Sequence, residues 1–70
     1  MILADGSNNT VAITPSNTSN LILMIKCINK DFAVTVENVD GGTYTFTTVN
    51  DAIIIKRVGS DWYIIAEYLA

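Results

Sequence analysis

The chain has 70 residues, of which half are hydrophobic and 16% are charged, and its net charge at pH 7 is −3. One cysteine and no histidine exclude an intramolecular disulfide and deprive a structural zinc site of its usual ligands. The acidic balance provides no clustered positive charge for nucleic acid, and no apolar run approaches the roughly 20 residues of a membrane-spanning helix.

The N-terminal residues do not resemble a secretion signal, because the short apolar start is followed at once by Asp5. We therefore expect synthesis in a cytoplasm, a flexible arm over residues 1–9 and a single β-domain over residues 10–70. Asp5, Ser7 and Asn9 place oxygen atoms at alternate positions, as at the start of a calcium loop. The glycine and the bidentate acid that such a loop needs further on are absent, so we predict a turn and no metal site.

Short runs of Val, Ile and Thr, separated by Asn, Asp, Gly and Ser, predict six strands. The strands are expected roughly over residues 10–14, 21–28, 32–37, 43–49, 52–58 and 61–67. No window carries a helical stripe of apolar residues. The predicted fold class is therefore all-β, a small sandwich or barrel-like module of mostly antiparallel strands.

Turn-forming residues lie between these runs. Gly59-Ser60 suits a type II′ hairpin turn, because a glycine occupies the first central position. Asp40-Gly41-Gly42 supplies residues for positive φ, and Asn29-Lys30 and Asn50-Asp51 tolerate left-handed geometry. Four sequential strand pairs are therefore predicted to be antiparallel. The longer polar loop over residues 15–20 would let the first strand cross elsewhere, including onto a neighbouring subunit.

Alternation predicts which strand faces are buried. Phe32, Val34 and Val36 share one face of their strand, whereas residues 21–25 and 53–55 are apolar on both faces. A lone core of this size supplies only about 3–5 kcal/mol, so the second face is predicted to meet another copy of the chain. The alternative is that the last strand or the termini of the same subunit cover this second face. The residues predicted for self-association are Leu21, Leu23, Ile25, Ile53, Ile54 and Ile55.

Few residues could carry catalysis. Without histidine, a serine nucleophile would need a lysine as its base, and the serines all lie in polar turn stretches. Cys27 lies in an apolar strand, where a buried and inert thiol is expected. Asp61 and Glu67 bracket the last strand about 20 Å apart, too far for a carboxylate pair that cleaves glycosides. We predict no catalytic residue, no cofactor and no enzyme.

Trp62 and Tyr63 are the candidate ligand platform, with Asp61 as an acceptor for sugar hydroxyls. Neighbouring strand residues point to opposite faces, so the two rings cannot both stack on one ligand. We expect Trp62 to pack in the core with Ile64, and Tyr63 to lie on the other face with Ile65.

Six segments follow one another in a distinctive order, namely Val11-Ala12-Ile13-Thr14-Pro15, Ile22-Leu23-Met24-Ile25-Lys26-Cys27-Ile28-Asn29, Ala33-Val34-Thr35-Val36, Asp40-Gly41-Gly42, Ala52-Ile53-Ile54-Ile55 and Gly59-Ser60-Asp61-Trp62-Tyr63-Ile64-Ile65. Over about residues 10–65 this order resembles a β-module of tailed-bacteriophage structural proteins. The module recurs in tail fibres, head fibres and capsid decoration proteins, which are commonly homotrimers with strands around a threefold axis.

The resemblance implies a homotrimer on the outer surface of a virion, made in the host cytoplasm, with the major capsid protein as its other partner. A fibre needs a shaft, and this chain has neither a heptad run nor a Gly-x-y repeat. We therefore favour a capsid decoration (cement) protein that stabilises the shell, with Met1, Ile2 and Leu3 of the arm as capsid contacts. The alternative is a tail-fibre, tail-tip or head-fibre module that binds host-surface glycan.

Overall fold

The computed structural model describes residues 1–16 and 21–70, and these residues form seven strands and no helix. The strands are β1 (Ile2–Asp5), β2 (Val11–Ile13), β3 (Ile22–Asn29), β4 (Val34–Val39), β5 (Gly42–Thr45), β6 (Ala52–Val58) and β7 (Asp61–Tyr68). They build one mixed, nearly barrel-shaped sheet in the order β1-β3-β6-β7-β4-β2, with β5 paired to β4. The all-β prediction is confirmed. Most of the polar loop predicted over residues 15–20 lies outside the described residues.

Two of the predicted hairpins are present, and their turn residues set the register. The β4–β5 turn has Asp40 and Gly41 at its centre with φ angles of 51° and 74°, the two positive values of a type I′ turn. In the β6–β7 turn Gly59 has a φ of 65°, and Ser60 does not have a positive φ. This combination fits the predicted type II′ turn.

The other two sequential pairs do not form. β3 pairs antiparallel with β6 instead of β4, and Ile25 lies opposite Ile53. Asn50 has a φ of 75°, and its N–H donates to the carbonyl oxygen of Cys27 at 2.7 Å. This contact brings the start of β6 alongside β3 rather than β5. Turn chemistry is local, so it could not predict a pairing between strands that are distant in sequence.

The N-terminal segment is a strand rather than the free arm predicted over residues 1–9. β1 runs parallel to β3, with Ile2 beside Ile25, and β2 runs parallel to β4, with Val11 beside Val34. The segment thus follows first β3 and then β4 in the same direction. A four-residue strand with a distant parallel partner leaves too short an alternation to be seen in the sequence.

Gly6 occupies the corner where the N-terminal segment passes from β3 to β4. Its N–H donates to the carbonyl oxygen of Asn29 at 2.9 Å, and its own carbonyl oxygen accepts from the N–H of Phe32 at 2.8 Å. A Cβ atom at this position would lie 2.6 Å from the Phe32 carbonyl oxygen and 2.9 Å from a methyl carbon of Val34. Glycine is required where two backbones approach this closely.

The core lies inside the curved sheet and consists of Ala4, Ile25, Cys27, Val34, Val36, Val39, Phe46, Ile53, Ile55 and Trp62. Phe46 packs edge to face against Tyr44, with ring centroids 5.2 Å apart and an interplanar angle of 82°. The predicted burial of Val34 and Val36 on one face is confirmed. Phe32, predicted on the same face, is exposed because β4 begins only at Val34.

Candidate functional site

The outer side of β3, β6 and β7 is a continuous and largely apolar surface, here called the outer apolar face. Strand register places Met24, Ile54 and Ala66 in one row across the three strands. Residues paired across strands project to the same side of a sheet, so the neighbouring rows extend this surface. The outer apolar face consists of Ile22, Met24, Lys26, Ala52, Ile54, Lys56, Tyr63, Ala66 and Tyr68.

A groove of about 280 Å³ crosses the outer apolar face. Its lining residues are Met24, Lys26, Asn50, Ala52, Ile54, Ala66, Glu67 and Tyr68. Lys26 and Glu67 are the charged residues among them, and Glu67 pairs with the buried Ile53, so its side chain projects to the core side of the sheet. Met24 is 40% exposed and Tyr68 is 65% exposed, so this groove presents apolar side chains to solvent.

The six residues predicted for self-association fall on different sides of the sheet. Three are fully buried in the core of a single subunit, namely Ile25, Ile53 and Ile55. These three have no surface left for another chain, which corrects their placement at an interface. Leu23 is half-buried against the same core, whereas Ile54 lies on the outer apolar face and Leu21 is exposed just before β3.

The sequence prediction omitted Met24 and Tyr68 from the exposed surface, whereas it placed Tyr63 on the face opposite Trp62. Each lies on the same side of the sheet as Ile54 once the register of β3, β6 and β7 is known. Side chains alternate between the two faces of a strand, and this alternation was the signal in the sequence. It places Met24 on the face away from the core when its neighbour Ile25 is buried.

The predicted capsid contacts lie in β1 and at its start. Met1 and Leu3 are exposed, whereas Ile2 packs against the core. Leu3 lies beside Lys26, so it extends the outer apolar face across β1. Because β1 pairs with β3, this segment is not a freely moving arm. Met1 and Leu3 are its exposed apolar residues at this edge of the sheet.

Trp62 and Tyr63 lie on opposite faces, as predicted. Trp62 is 2% exposed in the core, and Tyr63 is 44% exposed. The two residues nevertheless line the same cleft, of about 490 Å³, whose other lining residues are Pro15, Asn38, Gly41, Ser60 and Asp61. Their rings therefore do not form one stacking platform, although both residues contribute to the wall of this cleft between the two hairpin turns.

Asp40 holds the two hairpins together beside this cleft. Its N–H donates to the carbonyl oxygen of Trp62 at 3.0 Å, and its Oδ1 accepts from the N–H of Ile64 at 3.2 Å. The side chain thereby continues a pairing between β4 and β7 that is otherwise limited to Val39 and Trp62. The sequence pattern predicted a turn at Asp40 but not this second role.

Asp51 is a buried carboxylate, 1% exposed, at the start of β6. Its Oδ1 accepts from the N–H of Ala70 at 2.7 Å, and its Oδ2 accepts from the hydroxyl of Thr47 at 3.4 Å. Its backbone carbonyl oxygen accepts from the N–H of Cys27 at 2.9 Å. Asp51 therefore ties β3, the loop before β6 and the chain beyond β7 together, and its hydrogen bonds account for its burial.

The residues considered for chemistry are dispersed. Cys27 is fully buried, and burial raises the pKa of its thiol, so the unreactive protonated form is favoured at neutral pH. In residues 1–16 and 21–70, no three His, Cys, Asp or Glu side chains are grouped so that they could hold a metal ion. No helix in this part of the chain is long and apolar enough to cross a membrane.

No family model, curated protein or solved structure matches this chain. The resemblance of its segment order to phage virion modules therefore stays a prediction from the sequence. The outer apolar face and the cleft between the hairpin turns are the two features from which function can be argued.

Proposed function

We propose that this chain is a structural protein that assembles with copies of itself through the outer apolar face. In this proposal it is a homotrimeric capsid decoration (cement) protein on the outer surface of a phage virion. The observation that carries the proposal is the row formed by Met24, Ile54 and Ala66, flanked by exposed Tyr63 and Tyr68. Contiguous exposed apolar side chains on a small protein mark an interaction surface.

The size of the chain supports a second copy as the occupant of this face. Among residues 1–16 and 21–70, ten hydrophobic residues are buried in the core, and a domain of this length is marginal without added stabilisation. A standard interface buries about 800 Å² per partner, which is about a fifth of the 4212 Å² that this chain exposes. Burial of apolar surface in such a contact would add to the stability that the small core supplies.

The charges on the face favour a cyclic arrangement over a twofold contact of the face with itself. Lys26 and Lys56 lie on the outer apolar face, whereas Glu67 pairs with the buried Ile53 and so projects to the core side of the sheet. A twofold contact uses the same patch on both copies, so the lysines of both copies would lie in one interface. In a cyclic trimer each contact joins two different patches, so the lysines of one copy do not have to face those of the next.

The placement on a virion is supported by the order of the sequence segments. As a decoration protein, the trimer would bind the major capsid protein through the exposed Met1 and Leu3 at the β1 edge. Its action would be mechanical, because buried area and strand contacts bridge neighbouring capsid subunits without any chemical step. Production in the host cytoplasm and assembly onto the shell belong to the same proposal.

Two measurements test the two parts of this proposal. Light scattering of the purified chain at micromolar concentration should give three times the 7.6 kDa of one chain. Sedimentation with intact or expanded phage capsids should then show binding that saturates. A monomeric mass together with no capsid binding would contradict the whole proposal, whereas a trimer that ignores capsids would contradict only the placement on a virion.

A further inference from the structure

A cleft of about 490 Å³ opens where the β4–β5 and β6–β7 hairpin turns approach each other. It lies beside the outer apolar face and shares only Tyr63 with it. The residues that line it are Pro15, Asn38, Gly41, Ser60, Asp61, Trp62 and Tyr63. Mouths of curved sheets and clefts between turns are common positions for small-molecule sites.

The walls of the cleft are fixed by backbone geometry and hydrogen bonds. Asn38 and Gly41 have φ angles of 57° and 74°, conformations that few residues adopt and that hold the β4–β5 turn in one shape. Asp40 bonds to the backbone of both Trp62 and Ile64 and so ties this turn to β7. A ligand would therefore meet a preformed surface and would not have to order one.

The chemistry of the lining suits a ligand rich in hydroxyl groups. The Asn38 carboxamide can donate and accept, the Ser60 hydroxyl can do both, and the Asp61 carboxylate accepts. Tyr63 adds a partly exposed ring, an apolar surface with a polar tip. Trp62 contributes to the wall from the core side, where its buried indole N–H has no hydrogen-bond partner among the described residues.

We propose that this cleft binds a neutral saccharide unit. Sugar hydroxyls would donate to the Asp61 carboxylate and pair with the Asn38 carboxamide, while the ring of Tyr63 would cover an apolar C–H face of the sugar. Asp61 is the one charged side chain among the described lining residues, so the cleft repels an anionic sugar. This site is independent of the proposed assembly, because most of its residues lie outside the outer apolar face.

The single tryptophan of the chain reports directly on the cleft, because Trp62 is part of its wall. Titration of the whole protein with maltotriose and with tri-N-acetylchitotriose, both neutral, should change the tryptophan fluorescence until it saturates. We expect half-saturation with at least one of them in the millimolar range, which is usual for a small exposed site.

Variants separate binding in the cleft from contacts elsewhere. Asp61→Ala removes the carboxylate, and Asn38→Gly removes the carboxamide while keeping the positive φ. Each should raise the half-saturating concentration about tenfold. Asp31→Ala removes an exposed carboxylate outside the cleft and should leave the titration unchanged.

Three results would overturn the proposal. The first is no fluorescence change with either sugar, and the second is a change that Asp61→Ala and Asn38→Gly leave intact. The third is a response to sialyllactose or to spermine but not to the neutral sugars, which would assign the cleft to an anionic or a cationic ligand. Light scattering of the same samples measures the mass of the assembly. It therefore distinguishes a protein that fails to bind sugar from one that fails to assemble.

Discussion

Gly6 differs from the other glycines because a side chain there would meet backbone. Gly6→Ala would place a Cβ atom 2.6 Å from the Phe32 carbonyl oxygen and 2.9 Å from a methyl carbon of Val34. Overpacking of this kind should lower the free energy of unfolding by about 2 kcal/mol. Urea denaturation followed by tryptophan fluorescence measures the loss.

The matched control for this substitution is Gly42→Ala. At Gly42 nothing lies within 4 Å of the added Cβ, and the residue does not have a positive φ. Its free energy of unfolding should stay within about 0.5 kcal/mol of the parent chain. Equal stability of the two variants would show that the corner at Gly6 can relax without cost.

The fully buried Cys27 and the partly buried Tyr44 are acids that should make stability fall in alkaline solution. Burial raises the pKa of both groups above their ordinary values of 9.0 and 10.0, and the negative charge of Glu67 further raises the pKa of Tyr44. The folded chain therefore keeps these protons to a higher pH than the unfolded chain does. The resulting stabilisation is complete below about pH 9 and is lost as the pH rises through the folded-state pKa values.

Urea midpoints measured in steps from about pH 8 to pH 11 test this dependence. Tyr44→Phe removes one of the two titrating groups, so its stability should decline less steeply above about pH 10. A parent chain whose stability did not change over this range would contradict the raised pKa values of both groups.

The burial of single residues could be predicted where the buried side chain is hydrophobic. It could not be predicted where the buried side chain is charged. The core position of Trp62 followed from its alternation with Tyr63 along one strand. Asp51 could not be assigned in the same way, because a carboxylate is expected at the surface unless its partners are known. Its partners are the hydroxyl of Thr47 and the N–H of Ala70, and only the folded chain brings them together.

At the scale of elements, Asp40 joins β4 to β7 at a place where the strands themselves barely pair. Asp40→Gly keeps the positive φ of the turn but removes the Oδ1 that accepts from the N–H of Ile64. We expect a loss of about 1 kcal/mol in the free energy of unfolding, the usual net value of one hydrogen bond. The amide proton of Ile64 should also exchange faster with solvent.

Asp40→Asn is the control for this element. The carboxamide oxygen of asparagine can accept the same hydrogen bond, and asparagine tolerates a positive φ. Stability and amide exchange should therefore stay close to those of the parent chain. If both variants lost stability equally, the negative charge rather than the hydrogen bond would be the stabilising feature.

Elements with local signals were predicted well, and elements defined by distant partners were not. β6 begins and ends where its apolar run predicted, and the turn residues around Gly41 and Gly59 formed the expected hairpins. β5 ends at Thr45, before its predicted end at residue 49. β1 and the β3–β6 pairing depend on contacts across the chain, which no local pattern of a single sequence contains.

At the scale of the whole molecule, the curved sheet divides the apolar residues of β3 and β6 between two surfaces. The prediction that these strands are apolar on both sides was sound, but the inner side is covered by the chain itself. The sequence could not distinguish the two sides, because the closure of the sheet depends on β1, β2 and the corner at Gly6. The candidate interface is therefore the outer apolar face. Its residues alternate along the strands with the buried core residues, and Met24 and Ile54 lie at its centre.

Met24→Lys tests whether this surface assembles the protein. Met24 lies at one end of the row with Ile54 and Ala66 and is 40% exposed, so a lysine there can reach solvent in a single subunit. In an assembly the same ammonium group would be removed from water without a partner, at a cost of at least about 2 kcal/mol per contact. Light scattering should therefore give the mass of one chain, 7.6 kDa, at concentrations where the parent chain is trimeric.

Phe32→Lys is the matched control, because Phe32 is 47% exposed and lies outside the outer apolar face. It introduces the same charge and should leave the trimer intact. A folded monomer unfolds at a denaturant concentration that does not depend on protein concentration, whereas a trimer is stabilised by mass action. The urea midpoint should thus rise with protein concentration for the parent chain and for Phe32→Lys, and stay constant for Met24→Lys. A concentration-dependent midpoint in all three proteins would place the interface elsewhere on the molecule.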